Sequence, residues 1–396
     1  GAQRANVVEH LVGSERMHTQ YFADPAFAQT ITDGLVTPKF ADLTRSRYRT
    51  GRVEISELRE VRAGGNTLGP VLIVLPGIMG SQLVRGKNKL WLDVPSYVGG
   101  GFKQLRIDQT EVEANGFVGD VYDKFCEAFR DTHEVIPFPY DWRHSVVDAG
   151  KRLNAELAKL LKRIDIGKRP IQIVAHSMGG LVVRGMLSEP ESMWPKALVN
   201  PDSRIIMLGT PNQGSHAITE ILSGQEGLMQ KLAMADLTEP QSHHVGLVAR
   251  FPGILDMLPV ATGDDGRDYF ESAQWDGALQ PLGKEWPRPA ADALAAARAR
   301  RARLIAPDLV ANRVHYIAGQ APETPCALGL RKGRPSMAMS KRGDGRVLWD
   351  TGIPAGVPFW FAPRVRHGNL PGEEIVQKAC AEILSSGDTS KLKRAE

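Results

Sequence analysis

The chain has 396 residues, 42% of them hydrophobic and 24% charged, an ordinary globular composition that suffices for one large α/β domain with an insertion or for two domains. A formal net charge of +4, with no basic patch interleaved with aromatic residues, argues against a nucleic-acid partner, and no apolar run approaches the roughly 18–20 residues of a membrane span. Three widely spaced cysteines, Cys126, Cys326 and Cys380, exclude a metal-type pair, speak against a disulfide framework and favour a reducing, cytoplasmic setting. The N-terminus lacks the basic-then-apolar pattern of a secretion signal. It begins at Gly1 rather than Met, which leaves processing of a longer precursor open.

Residues 1–52 are polar and mixed, and read as a loosely docked N-terminal arm. Val53 to Ala63 alternate in part, as an edge strand does, and Gly64-Gly65-Asn66 is a turn. Val71 to Leu75 form the first continuous apolar run, the signature of a strand buried on both faces of a parallel sheet. Pro76-Gly77-Ile78-Met79-Gly80-Ser81 follows at its carboxyl end, where a glycine-bearing loop turns backbone N–H groups toward a ligand. Residues 86–116 carry Trp91 and the run Gly99-Gly100-Gly101. They read either as a lid over a site, with Trp91 as a substrate contact, or as a loop packed down by Trp91.

A helix over Tyr122 to Arg130, a strand over Glu134 to Pro137 and an amphipathic helix over Val146 to Ile164 come next. In the last, Leu153, Leu157, Leu160, Leu161 and Ile164 share one face. Ile171 to Val174 is a strand, and Leu181 to Leu187 a helix. Between them Ala175-His176-Ser177-Met178-Gly179-Gly180 has the form of a nucleophile elbow. A serine on so sharp a strand-to-helix turn needs small neighbours, and Gly179 and Ala175 supply them. Arg204 to Leu208 is a further strand, ending in Gly209 to Ser215.

Alternation of strand and helix predicts a mainly parallel, doubly wound sheet, with a ligand site at the carboxyl ends of its strands. The rhythm breaks over 216–312, which is too long for a loop and reads as an inserted helical cap. Its Ala/Arg-rich helix from Ala290 to Leu304 carries Arg298, Arg300, Arg301 and Arg303, either a solvated face or a surface for anionic lipid. Arg313 to Ala318 resumes the sheet. Gly343-Asp344-Gly345-Arg346-Val347 is a loop, Val357 to Phe361 is apolar, and His367 precedes a final helix over Glu373 to Leu384 whose apolar face is Ile375, Val376, Ala379, Ile383 and Leu384. The core therefore comprises 53–215 and 313–385, with a charged, flexible tail over 386–396.

A serine nucleophile requires a base, and an acid to fix the base's tautomer. In α/β-hydrolases these follow in the order serine, acid, histidine. Asp344 and His367 occupy those places. Asp350 is the second choice for the acid. His133 and His144 precede Ser177, His243 and His244 precede the acids, His315 lies in a strand, and His176 abuts the serine and points away from it.

The motifs Pro76-Gly-Ile-Met-Gly-Ser-Gln-Leu83, Pro139-Tyr-Asp-Trp-Arg143, Ala175-His-Ser-Met-Gly-Gly180, Leu208-Gly-Thr-Pro-Asn-Gln-Gly-Ser215, Phe251 to Pro259 and Gly343-Asp-Gly-Arg-Val347 together resemble the lecithin–cholesterol acyltransferase and lysosomal phospholipase A2 family. They do so in order from about residue 70 to about 385. The resemblance implies an α/β-hydrolase fold with a cap and a lid, and an acyl-serine intermediate on lipid esters. It assigns Ser177, Asp344 and His367 as nucleophile, acid and base, and the N–H groups of Ile78 and Met178 as oxyanion donors. It also places Trp91 in the lid and implies no metal or cofactor. The cysteine pair that secreted members place across the lid is missing between Pro76 and Phe125. The expected function is a serine lipase, phospholipase or acyltransferase with transient membrane-surface contact. An esterase or amidase on non-lipid substrates, and a hydrolase-fold binding domain of a larger protein, are the rivals.

Overall fold

A computed structural model of the chain describes residues 69–394 apart from 92–99, 164–168, 228, 231–235, 237 and 261–265. The expected arm over 1–52, the edge strand over 53–63 and the turn at Gly64 to Asn66 lie outside the described residues, as do Gly99 and Ile164.

Strand β1 (Val71–Leu75) is buried along its whole length. Val71, Ile73 and Leu75 belong to one core layer and Leu72 and Val74 to the other, because successive side chains point to opposite faces. β2 (Ser81–Arg85), β3 (Asn88–Lys89) and β4 (Val112–Phe117) form a small antiparallel sheet beside it. Part of the expected 86–116 loop is thus regular structure, in β3 and β4. Helix α1 (Asp120–Phe129), β5 (Glu134–Pro137) and α2 (Val146–Leu160) follow. The Ser145 hydroxyl caps α2 by accepting the Val147 N–H at 3.1 Å. Burial of Leu153, Leu157 and Leu160 is worth about 1.5–3 kcal/mol for each side chain.

Then come β6 (Ile171–His176), α3 (Met178–Leu187), the short α4 (Trp194–Ala197) and β7 (Arg204–Leu208). Between β7 and β8 (Val314–Ala318) lie α5 (Ala217–Leu222), α6 (Gln241–Val248), α7 (Pro252–Leu255), α8 (Ser272–Leu279) and α9 (Ala291–Ile305). A hairpin of β9 (Thr324–Arg331) and β10 (Arg334–Ser340), the turn-like α10 (Trp349–Gly352), β11 (Phe359–Phe361), α11 (Glu374–Ser386) and β12 (Lys393–Arg394) complete the order.

The central sheet runs β12-β11-β8-β7-β6-β1-β5. Every pairing is parallel except β11 with the edge strand β12. α2 and α3 bring Leu157, Leu181 and Val182 to one face, while α1 and α11 bring Phe125, Val376 and Ile383 to the other. The fold is an α/β-hydrolase.

Three expectations need correcting. The tail over 386–394 is not loose: Thr389 and Ser390 donate to the Glu382 carboxylate, Leu392 is buried, and Lys393 and Arg394 pair with Phe361 and Trp360. Ile375 is exposed rather than on the packed face of α11. The arginines of α9 form no free basic surface. Arg298 pairs with Asp268 and Glu271, Arg300 with Asp256, and Arg303 with Glu189, while buried Arg301 donates to the Asn212 carbonyl.

Candidate active site

Ser177 sits between β6 and α3 with φ 53° and ψ −124°, a left-handed conformation that is strained for any residue with a side chain. Its N–H donates to the Leu208 carbonyl on β7 at 2.8 Å, and its carbonyl accepts the Gly180 N–H at 3.0 Å. These bonds hold the turn open-side outward at the carboxyl end of the sheet. Gly180 admits the close approach of the β7 end, since a Cβ there would lie 1.9 Å from Thr210 Oγ1.

The Ser177 hydroxyl lies 2.8 Å from His367 Nε2, and His367 Nδ1 lies 2.7 Å from Asp344 Oδ2. All three residues are buried. Asp344 is fixed by its own loop: Oδ1 accepts the N–H groups of Arg346 and Val347 at 2.9 and 2.7 Å, leaving Oδ2 for the imidazole. The His367 N–H donates to the Asp344 carbonyl at 2.9 Å, joining the two loops through the backbone as well. Gly209, at φ 57°, backs onto the pair, and a Cβ there would meet Asp344 Oδ2 and His367 Nδ1 at 2.9 Å. Asp350, the second choice for the acid, is exposed and paired with Arg342.

The loop from Pro76 to Ser81 is held at most of its polar groups. Tyr140 Oη donates to the Pro76 carbonyl at 2.9 Å, Trp91 Nε1 to that of Met79 at 2.8 Å, and Trp142 Nε1 to that of Ser81 at 3.2 Å. The Gly77 N–H donates to Tyr122 Oη at 2.8 Å, and Gly80 closes a turn to the Gly77 carbonyl. Met79 takes φ 60° within this turn. The Ile78 N–H stands between these fixed points. The Met178 N–H, at the first position of α3, is one of the helix-start donors with no intrahelical partner. Trp91 itself is buried, edge-on to Trp142 at 5.1 Å. It is packed beneath the loop and is not among the side chains that line the cavity.

Sequence alone leaves the Tyr140-Asp141-Trp142-Arg143 motif without a role and points His176 away from the serine. Tyr140 and Trp142 are buttresses of the 76–81 loop. Arg143, paired with Asp141, donates to the carbonyls of Leu105 and Arg106 and ties that segment down. His176 joins Tyr122 to His367: Tyr122 Oη lies 2.7 Å from His176 Nδ1, and His176 Nε2 lies 3.0 Å from the His367 carbonyl. The carbonyl only accepts, so Nε2 carries the proton. Nδ1 then accepts from the Tyr122 hydroxyl, which in turn accepts from Gly77. Burial, and after it the neighbouring His367, hold His176 well below the ordinary histidine range, so it stays neutral.

A cavity meets Ser177, His367 and Ile78, with a wall formed by Met79, Ile218, Ile221, Met229, Met257 and Val347. One charged spot interrupts it, the buried pair Arg346–Glu226 at 2.5 Å. Burial works against the Arg346 charge, but the Glu226 and Glu220 carboxylates outweigh it and raise the Arg346 pKa. Burial raises that of Glu220 despite the same arginine. Burial also pushes the Cys126 and Cys380 thiols up, leaving them poor nucleophiles. Among the described residues, no group of three or more His, Cys, Asp or Glu side chains is placed to hold a metal, and no helix is long and apolar enough to cross a membrane.

A mainly parallel sheet with helices on both faces, and a serine raised on a strand-to-helix turn, places the chain in the α/β-hydrolase class. Residues 109–278 match the family described as lecithin:cholesterol acyltransferase. Protein SERAC1 of Bos taurus is 37% identical over 81 residues, a stretch that covers 19% of this chain and only 12% of that protein. Among solved structures, the chain resembles the Tle4-Tli4 complex (TM-score 0.49, 14% identity, covering 81% of this chain and 99% of that one). It also resembles the mature lipase BlEst2 of Bacillus licheniformis (0.40, 13%, 82% and 95%) and EstA of Clostridium botulinum (0.36, 14%, 100% and 99%).

Proposed function

We propose that the protein is a serine esterase acting on lipid acyl esters, a lipase or phospholipase that becomes an acyltransferase when an alcohol takes the place of water. The observation that carries this reading is the hydrogen-bonded line Ser177–His367–Asp344 meeting an apolar cavity. The family match over 109–278 supports lipid esters as the substrate class.

His367 Nε2 takes the proton of Ser177 as Oγ attacks the acyl carbon, and Asp344 stabilises the imidazolium that forms. The N–H groups of Ile78 and Met178 receive the oxyanion, each worth about 3 kcal/mol of barrier. Collapse breaks the ester bond, and the leaving alcohol takes its proton from His367. Water, or an acceptor alcohol, then gives its proton to His367 while adding to the acyl-serine, and a second collapse frees Ser177. The helices between β7 and β8 act as the cap, since α5 contributes Ile218 and Ile221 to the cavity. The segment over 86–116 is the proposed lid, with its described part anchored by Trp91.

A fluorophosphonate probe should label the protein and fail to label Ser177→Ala. Label persisting on the variant would place the nucleophile elsewhere. A chain-length series separates this reading from an esterase or amidase on small non-lipid substrates, which would turn over the shortest acyl chains best. A hydrolase-fold binding domain would neither label nor turn over any ester.

A further inference from the structure

The hairpin of β9 and β10 has no part in the chemistry proposed above. Lys332 and Gly333, at φ 51° and 72°, make the tight two-residue turn between its strands. Leu328 pairs with Met337 on the inner face. That pair packs on the main body, Leu328 fully buried and Met337 against Thr219 of α5. The next pair outward on the same face is Leu330 with Pro335, and Leu330 is 52% exposed. The apolar face therefore runs past the edge of the body into solvent. Met339, further back on β10, is 44% exposed.

Around these apolar residues the charge has one sign. From Pro325 to Lys341 the chain carries Arg331, Lys332, Arg334 and Lys341 and no acidic side chain. All four cations are exposed, and none forms an ion pair among the described residues. The arginines of α9 are engaged with carboxylates or a carbonyl of the same chain, so the hairpin, not α9, offers free positive charge.

We propose that this hairpin docks the protein on the surface of an anionic phospholipid bilayer. Lysine and arginine near such a surface are attracted through its negative potential, and exposed Leu330 and Met339 give the apolar contact that an interfacial segment adds. No aromatic residue lies between Pro325 and Lys341, so the hairpin has no ring on which bases of a nucleic acid would stack. The hairpin is also joined to the candidate site. At its base Thr324 Oγ1 accepts the Gly345 N–H at 2.9 Å, and β10 leads directly into the Asp344 loop. Docking there would hold the site at the surface that contains its substrate. This purpose rests on the lipid-ester reading, but the binding itself does not.

The test uses the full chain, with vesicles of phosphatidylcholine alone and of phosphatidylcholine mixed with phosphatidylglycerol. The protein should sediment with the mixed vesicles, less so as salt rises. Each basic residue near the surface contributes about fivefold in affinity. The triple variant Arg331→Glu/Lys332→Glu/Arg334→Glu should therefore lose about a hundredfold or more, and Leu330→Ser should lose binding that added salt does not explain. Turnover of a soluble short-chain ester should be unchanged in both, which shows that the fold and site survive. Equal binding to the two vesicle types, or a triple variant that binds the mixed vesicles like the parent, would overturn the proposal. So would displacement of α9 variants alone, such as Arg298→Glu, with the hairpin variants unaffected. Selective vesicle binding without turnover of any ester would overturn the reading of the site and leave the docking surface standing.

Discussion

The chain of hydrogen bonds from Gly77 through Tyr122 and His176 to the His367 carbonyl connects the two halves of the proposed catalytic apparatus. Tyr122→Phe removes one oxygen from its middle and keeps the ring that packs against Phe117 at 5.2 Å. Two buried groups lose their partner at once, the Gly77 N–H and His176 Nδ1. A buried polar group left unsatisfied costs about 1–3 kcal/mol, so with two such groups the variant should lose about 2–6 kcal/mol of stability in chemical denaturation. The catalytic consequence follows from position. Gly77 adjoins Ile78, and an oxyanion donor that is removed outright costs about 10²–10³ in kcat. A donor that is only less well held should cost about tenfold to a hundredfold, with KM little changed, because the cavity wall is untouched. Steady-state kinetics on a soluble ester measure this. His176→Gln, whose amide offers one acceptor and one donor, should keep more of kcat than His176→Leu. Tyr122→Phe with reduced stability and parental kcat would show that the chain of bonds serves only the fold.

Three further outcomes are expected. His176, His133 and His315 each have a folded-state pKa below the ordinary 6.5, with burial the largest cause. The unfolded chain thus takes up their protons more readily, and stability should be complete above pH 6.5 and fall progressively below it. Urea midpoints on either side of that pH check this, and a flat profile would contradict it. Trp91→Phe deletes the hydrogen bond to Met79 without altering the cavity lining. It should therefore lower kcat about tenfold while leaving acyl-chain preference unchanged, whereas Ile221→Trp, inside the cavity, should shift preference toward shorter chains. A changed preference in the tryptophan variant would restore it as a substrate contact.

What the sequence made legible was what local chemistry encodes. The buried run at Val71–Leu75, the small residues around Ser177 and the glycines around Asp344 each state their conformation within a few positions. The order of strands and helices carried the sheet. The line from Ser177 to His367 followed only because a known order of residues was imposed on chain positions 190 apart. The roles of Tyr122 and His176 had no local sign, since their contact spans 54 residues and a tyrosine in a helix reads as core. The partners of the α9 arginines were hidden for the same reason. Their carboxylate partners lie at Glu189, Asp256, Asp268 and Glu271, far outside any helical window. The Lys332-Gly333 turn did offer a signal for the hairpin, and Trp91 and the tail turned on packing that composition does not reveal.

Helices α2 and α3 meet through glycine. A methyl group on Gly150 would come within 2.5 Å of the Met186 nitrogen, and one on Gly185 within 2.8 Å of the Val146 carbonyl. Backbone rests on backbone there, with no layer of side chains between to yield or change rotamer. The helix that follows Ser177 is thus seated on an incompressible support, and the strain at the serine cannot relax by tilting it. Whatever widening a bulky substrate demands must come from the opposite wall, where methionines 229 and 257 and the α5 isoleucines are the soft parts. In the proposed reaction Ser177 is the fixed anvil, and accommodation belongs to the helices above it.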